Sequence, residues 1–225
     1  MLQRWPGIYI PAIPEKKVIG NKDDQFVEER RSLLERFMKE ICKYDYLIYS
    51  QEFKIFARDK GDVEKVLSQL PRQTPMMILE KFKLNFKVEE DRPAAEVSKY
   101  KESIREFQNF VKRALSVMEH QKDQIKLMIK STDDRYTNQK AIIQQLIAYE
   151  DANVDYYSDQ STEKRLFTSG MNSNFKEQLE STFNGFRNPY KEAYIWLKGE
   201  LLDIKGLNDA LLGRDAVIKA QGSTE

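Results

Sequence analysis

Between residues 94 and 157 the apolar side chains step by three and four. Val97, Tyr100, Ile104, Phe107, Val111, Leu115, Met118, Ile125, Met128, Ile129 and Tyr136 lead into Ile142, Ile143, Leu146 and Tyr149, and no glycine or proline interrupts them. Such a run predicts one very long helix, or two joined at a kink. About 60 helical residues at 1.5 Å each extend for roughly 90 Å, more than a compact globule needs. A second stripe runs through Phe175, Leu179, Phe183, Phe186, Tyr190, Tyr194, Leu197, Leu201, Ile204, Leu207 and Leu211. It predicts a second long helix, with a kink at Pro189, whose ring lacks a donor and clashes with the preceding turn. Residues 158–171, with Gly170, read as a turn, so the two helices are expected to lie antiparallel. Residues 221–225 read as a loose end.

The first ninety residues are patterned differently. Pro6, Pro11, Pro14 and Gly20 exclude a long helix from residues 1–25, where Ile8, Tyr9 and Ile10 form a short apolar run in an extended segment. Phe26, Leu33, Leu34, Phe37, Met38 and Ile41 then predict a helix over 26–44. Asp23 or Asp24 is placed to cap it, and Glu28 and Glu29 suit its positive end. A short helix is expected from Ser50 to Ala57, and another from Asp62 through Leu67 after the break at Gly61. Pro71 and Pro75 precede Met76–Phe86, an apolar run with Lys81 and Lys83 in it and Lys87 after it. Asp91-Arg92-Pro93 is the start signal of the long helix. The expected fold class is all-α.

Composition supports long solvated helices. The 225 residues are 40% hydrophobic and 32% charged, with only nine glycines. The net charge is +1, so any anion site must be local rather than a global field. Residues 94–157 carry ten basic and ten acidic side chains, as a solvated surface requires. The single cysteine, Cys42, permits no disulfide framework and reads as a small helix residue. The amino terminus lacks the pattern of a secretory signal, and no stretch is apolar for long enough to span a bilayer.

Phosphate loops, dinucleotide fingerprints and zinc spacings are lacking, so no cofactor or metal is expected. His120, the one histidine, lies on a polar helical stretch and reads as a surface residue. The aromatic residues keep helical spacing, which makes them core rather than a stacking platform for nucleic acid. No convergent set of catalytic groups stands out, and the chain is not expected to be an enzyme.

Three motifs carry more information. The first is Pro11-Ala12-Ile13-Pro14-Glu15-Lys16-Lys17, with Trp5-Pro6-Gly7 ahead of it. The second is Phe26-Val27-Glu28-Glu29-Arg30-Arg31-Ser32-Leu33-Leu34-Glu35-Arg36-Phe37, closed by Glu52-Phe53-Lys54-Ile55-Phe56. In this order they resemble the proline-rich loop and following helices of a PX domain. The third runs from Tyr194-Ile195-Trp196-Leu197-Lys198-Gly199-Glu200 to Gly213-Arg214-Asp215 and resembles the end of the second BAR helix of a sorting nexin.

The chain as a whole resembles a sorting nexin, from Trp5 to Lys219. It covers the C-terminal half of a PX domain (1–58), a linker with a candidate amphipathic helix (59–93) and a BAR-like hairpin (94–225) without the third helix. The resemblance implies that Lys16 and Arg30 bind a phosphoinositide headgroup. A proline-stiffened loop holds a lysine at low entropic cost, and arginine grips phosphate in bidentate fashion. Ile8, Ile10, Ile13 and Lys17 would belong to the membrane loop. Lys112, Arg113, Lys122, Lys126 and Lys130 would lie on a concave basic face, and Met76–Phe86 would either enter the lipid interface or pack between modules.

The implied role is peripheral binding of curved phosphoinositide membranes at the cytoplasmic face of endosomes. The long helices would supply a homodimer, a heterodimer or a larger complex. The alternative is a sorting-nexin relic serving as a non-catalytic subunit of a large, membrane-associated assembly, at whatever organelle that assembly occupies.

Overall fold

The computed structural model describes residues 4–16, 24–58, 61–87, 92–156 and 175–222. Eight α-helices and no strand occur among them: α1 (Asp24–Ile41), α2 (Asp45–Ile48), α3 (Gln51–Arg58), α4 (Val63–Ser68), α5 (Pro75–Asn85), α6 (Ala94–Tyr156), α7 (Phe175–Asn184) and α8 (Pro189–Gly222). The chain is all-α, as its periodicity predicts. The expected turn at 158–171 and the cap at Asp23 lie outside the described residues, as do Lys17 and the last three of the five residues expected to form a loose end. Gln221 and Gly222 belong to α8.

Local chemistry sets most helix starts. The Asp62 carboxylate accepts from the Lys65 amide at 3.2 Å and begins α4. The Thr74 hydroxyl accepts from the Met77 amide at 3.3 Å, and Pro75 opens α5, where its missing N–H costs nothing. The Pro93 carbonyl accepts from the amides of Glu96 and Val97 at the start of α6. With no breaker inside it, α6 runs uninterrupted for 63 residues.

Two expectations are corrected. The helix expected over 26–44 ends at Ile41, because Tyr44 turns extended before α2 and its ring packs between those of Tyr9 and Tyr46. Cys42 therefore sits exposed in a turn rather than in a helix. The second correction concerns Pro189, which starts α8 instead of kinking a longer helix.

The chain divides into two units, Met1–Gln121 with Ile195–Glu225, and Lys122–Tyr194. In the second unit, α6 runs antiparallel to α7 and the start of α8. The corner between α7 and α8 is fixed by buried Asn188. Its amide donates to the Ile129 carbonyl at 3.0 Å and to Asp133 at 2.9 Å, while its oxygen accepts from the Tyr190 amide at 3.1 Å. Lys191 adds an ion pair to Asp133 at 3.3 Å. The Tyr136 hydroxyl donates to the Phe183 carbonyl at 2.7 Å, and its ring stacks on Phe186 at 3.9 Å. Tyr136 thus satisfies a carbonyl left free at the end of α7, and Asn188 an amide left free at the start of α8.

In the first unit the two ends of the long helices also run antiparallel. Gln108 bonds Asp215 at 2.8 Å, Lys205 meets Glu119 at 3.3 Å, and Val111, Leu197 and Leu201 are buried. A separate core gathers Trp5, Ile10, Ile41 and Leu47, flanked by Ile8, Phe37, Tyr44, Tyr46, Ile48 and Phe53.

Three glycines seven residues apart give α8 a bare side: Gly206 and Gly213 carry the amino-terminal segment, and Gly199 faces α1. A Cβ at Gly206 would stand 2.7 Å from the Ile10 carbonyl oxygen, and one at Gly213 would stand 2.9 Å from the Gly7 nitrogen. At Gly199 the obstacle is the tip of the Arg36 side chain, at 2.7 Å. Gly7 itself has φ +79°, which favours glycine. Each mid-helix glycine costs about 1 kcal/mol of helix propensity, a cost tolerated here because any side chain would collide. Arg36 then pairs with Glu200 at 2.8 Å and Asp203 at 2.5 Å, and Lys198 pairs with Glu29.

Gly206→Ala should therefore destabilise the protein by about 2 kcal/mol, because rigid backbone must move. Gly199→Ala should cost much less, since a flexible arginine can give way. Urea unfolding of both variants tests this, and equal effects would contradict the backbone-contact account.

Candidate functional site

The candidate anion site begins with the segment that carries it. Residues 4–16 are held by one buried carboxylate, Glu52 of α3, which is 4% exposed. Arg4 pairs with it, Trp5 Nε1 donates to it at 3.4 Å, and Lys81 of α5 approaches it to 3.6 Å. Arg4 also donates to the Pro71 carbonyl at 2.6 Å, and the Lys81 ammonium lies 4.7 Å from the centre of the Trp5 ring. Burial alone would push the Glu52 carboxyl up. The Arg4 hydrogen bond and the Lys81 charge outweigh that and hold it below the usual carboxylate range. Sequence patterning did not single out Arg4 or Lys81 as partners of Glu52; the lone acid at the start of the α3 motif was the available signal.

Farther along the segment, Arg30 of α1 donates to the main-chain carbonyl of Glu15. The two residues expected to bind a headgroup are thus brought together, since Lys16 is the exposed neighbour of Glu15. Lys17 lies outside the described residues. Ile8 and Ile10 do not face outward as a membrane loop requires. Ile10 is 4% exposed in the core beside Trp5, Ile41 and Leu47, and Ile8 packs against that cluster. Burial on α1, α2 and the bare face of α8 outweighs the outward reading of the proline-rich run. Ile13, at 58% exposed, is the apolar residue of this loop that remains at the surface.

Helix α5 uses both of its faces. Phe86 packs on Tyr46 at 5.3 Å, with Phe82 beside it, while Met76, Leu79 and Leu84 are exposed among Lys83 and Lys87. On α6, Lys112 and Arg113 of the first unit are exposed but point about 100° apart, as adjacent helical residues do. In the second unit Lys122, Lys126 and Lys130 follow at four-residue spacing, with Lys122 half-buried and the other two exposed. His120 is exposed, as expected of a surface residue.

Ile129, Tyr136 and Ile143 of α6 are half-buried, and Tyr136 faces α7 directly. The opposite side of the same helix presents Leu127, Ser131, Asp134, Arg135, Asn138 and Ile142 around an open groove, with Leu127 and Ile142 exposed. Among the described residues no group of three or more potential metal ligands gathers, and no helix is long and apolar enough to cross a membrane.

The PX domain family matches residues 1–60. Over 51 residues the chain is 45% identical to vacuolar protein sorting-associated protein vps5 of Schizosaccharomyces pombe, covering 23% of this chain and 9% of that protein. Over 77 residues it is 29% identical to mouse sorting nexin-7, covering 32% of this chain and 19% of that protein. The chain thus spans only a small part of these curated relatives. No solved structure matches it.

Replacing Glu52 by Gln should cost about 3 kcal/mol at pH 7, since Arg4 and Lys81 would lose their buried counter-charge. A carboxylate whose pKa is depressed on folding stabilises above its unfolded pKa, and that contribution fades as the pH falls through the folded value. The difference between Glu52→Gln and the parent protein should therefore shrink towards pH 3. Urea unfolding at both pH values checks it; a difference that does not change with pH would rule the charge out as the cause.

Proposed function

Taking as premise that this is a sorting-nexin-like chain with PX-domain sequence over residues 1–60, we propose that it is a non-catalytic peripheral membrane protein of endosomal trafficking that recognises phosphoinositide headgroups through Lys16 and Arg30. The observation that supports this reading is the bond from Arg30 to the Glu15 carbonyl, which brings the helix arginine to the main chain next to the loop lysine. Ile13 and the outer face of α5, with its three apolar residues among lysines, are suited to the lipid interface. Those of Lys112, Arg113, Lys122, Lys126 and Lys130 that face one surface would each add attraction of about 1 kcal/mol near an anionic membrane. The organisation we infer is a PX-like segment over 1–58, a linker over 59–93 and a BAR-like helical pair beyond it.

Co-sedimentation with vesicles of phosphatidylcholine, with and without phosphatidylinositol phosphates, tests the reading. Headgroup-dependent binding is expected, with a loss of tenfold or more in Lys16→Ala/Arg30→Ala. Binding that ignores both the headgroup and this double substitution would remove the site.

A second reading, association through the long helices, is favoured by the open face of α6. That face carries two exposed apolar side chains, Leu127 and Ile142, around the polar Ser131, Asp134, Arg135 and Asn138, and we propose that a second copy of this chain covers it. About a two-fold axis between residues 134 and 135, Leu127 would meet Ile142, Ser131 would meet Asn138 and Asp134 would meet Arg135, each from the other copy. The face is thus complementary to itself in charge and polarity. Asp134→Arg and Arg135→Asp should each give monomers in sedimentation, and an equimolar mixture should give a one-to-one dimer. Single variants that remain dimeric would show that another face, or another protein, is used.

A further inference from the structure

We propose that Lys205 of α8 is the third cation of this anion site and that the Glu15 carboxylate occupies the place of the ligand phosphate in the free protein. The inference rests on the headgroup reading above and adds to it a residue from outside the PX-like segment.

The geometry begins with Gly206. Because this glycine lets the α8 backbone lie against Ile10 and Ala12, the adjoining Lys205 is fixed in position relative to the loop. Its ammonium stands 3.7 Å from the Glu15 carboxylate and 3.3 Å from Glu119 of α6. Arg30 holds the main chain of the same Glu15, and Lys16 follows it directly. Three segments therefore bring a lysine or arginine to one short stretch of loop. The Glu15 side chain at its centre is 89% exposed and can swing away, whereas Glu119 would keep Lys205 in position after it leaves.

A monoanionic carboxylate is a weaker partner for several cations than a phosphomonoester, which carries nearly two charges and three strong acceptor oxygens near pH 7. Ligand would exchange with Glu15: the Lys205–Glu15 pair opens, and Lys205 turns to the phosphate. Glu15 thereby weakens affinity and screens the site against singly charged lipids.

The two substitutions have opposite expected signs. Lys205→Gln should weaken binding about fivefold, the equivalent of ~1 kcal/mol for one lysine at an anionic surface. Glu15→Gln should strengthen it by a similar factor, and Lys205→Arg should bind like the parent protein. Each is measured against phosphatidylcholine vesicles containing phosphatidylinositol phosphates, charge-matched phosphatidylserine vesicles, and a soluble inositol phosphate. Circular dichroism confirms that the helices persist. The same order of variants with the soluble compound assigns the site to inositol phosphates at large; that order on phosphoinositide vesicles alone assigns it to the lipid.

If Lys205→Gln and Glu15→Gln weaken binding together, the pair is only a strut for the loop and the proposal is overturned. It is equally overturned if Lys205→Gln changes nothing while Lys16→Ala/Arg30→Ala abolishes binding, an outcome that leaves the headgroup reading intact. A parent protein indifferent to every phosphate-bearing probe defeats both.

Discussion

The first unit depends on how closely a helix backbone can approach another stretch of main chain. At Gly206 and Gly213 the gap between α8 and residues 6–12 has no room for a methyl group. That contact sets the depth at which the amino-terminal segment lies. Depth decides that Ile10 is core while Ile13 and Lys16 are surface. It also sets which α8 side chain borders the loop, because Lys205 adjoins Gly206 and reaches Glu15. Ion pairs such as Arg36 with Glu200 and Asp203 then lock an alignment that steric fit has already selected. Partly exposed pairs of this kind add little stability singly, and their larger effect is on register.

The long helices were legible because their information is local. Every turn of α6 repeats an apolar step with no breaker, and Asp62, Thr74 and Pro93 act within four residues of themselves. The misreadings share a different cause. Pro189 read as a kink because a proline inside a stripe usually makes one, but Asn188 beside it bonds to α6, Tyr136 of α6 bonds the end of α7, and the site becomes a corner. Tyr44 read as helical until Tyr9 and Tyr46 gave its ring a place in the core. Ile8 and Ile10 read as surface because a proline-rich run does not announce that Ile41 of α1 and Leu47 of α2 will cover it.

The candidate site divides in the same way. Lys16 and Arg30 were found through motif order, which is a property of the first forty residues. Glu15 stands in the same motif with no role that spacing assigns, and Lys205 lies far along the chain in a stretch whose pattern reads only as helix. The seven-residue spacing of Gly199, Gly206 and Gly213 was the one visible hint that α8 has a bare side. Without knowing what lies against that side, the spacing pointed to no partner. The Glu52 node is similar: a carboxylate among aromatic residues signals burial, but its cations come from both directions along the chain.

The pairing of residues 6–12 with α8, about 200 residues further along, has a bearing on how the protein is made. Gly7 rests on Gly213, so about 200 residues of chain must emerge before the opening segment meets its helix, and contacts of such separation form late. During synthesis Trp5 and Ile10 have α1 and α2 within reach long before α8 exists. The amino-terminal core can therefore condense early on one side while its other side waits uncovered. Synthesis of α8 then supplies the missing contact, and a ribosome stalled near residue 200 would hold residues 6–12 without it.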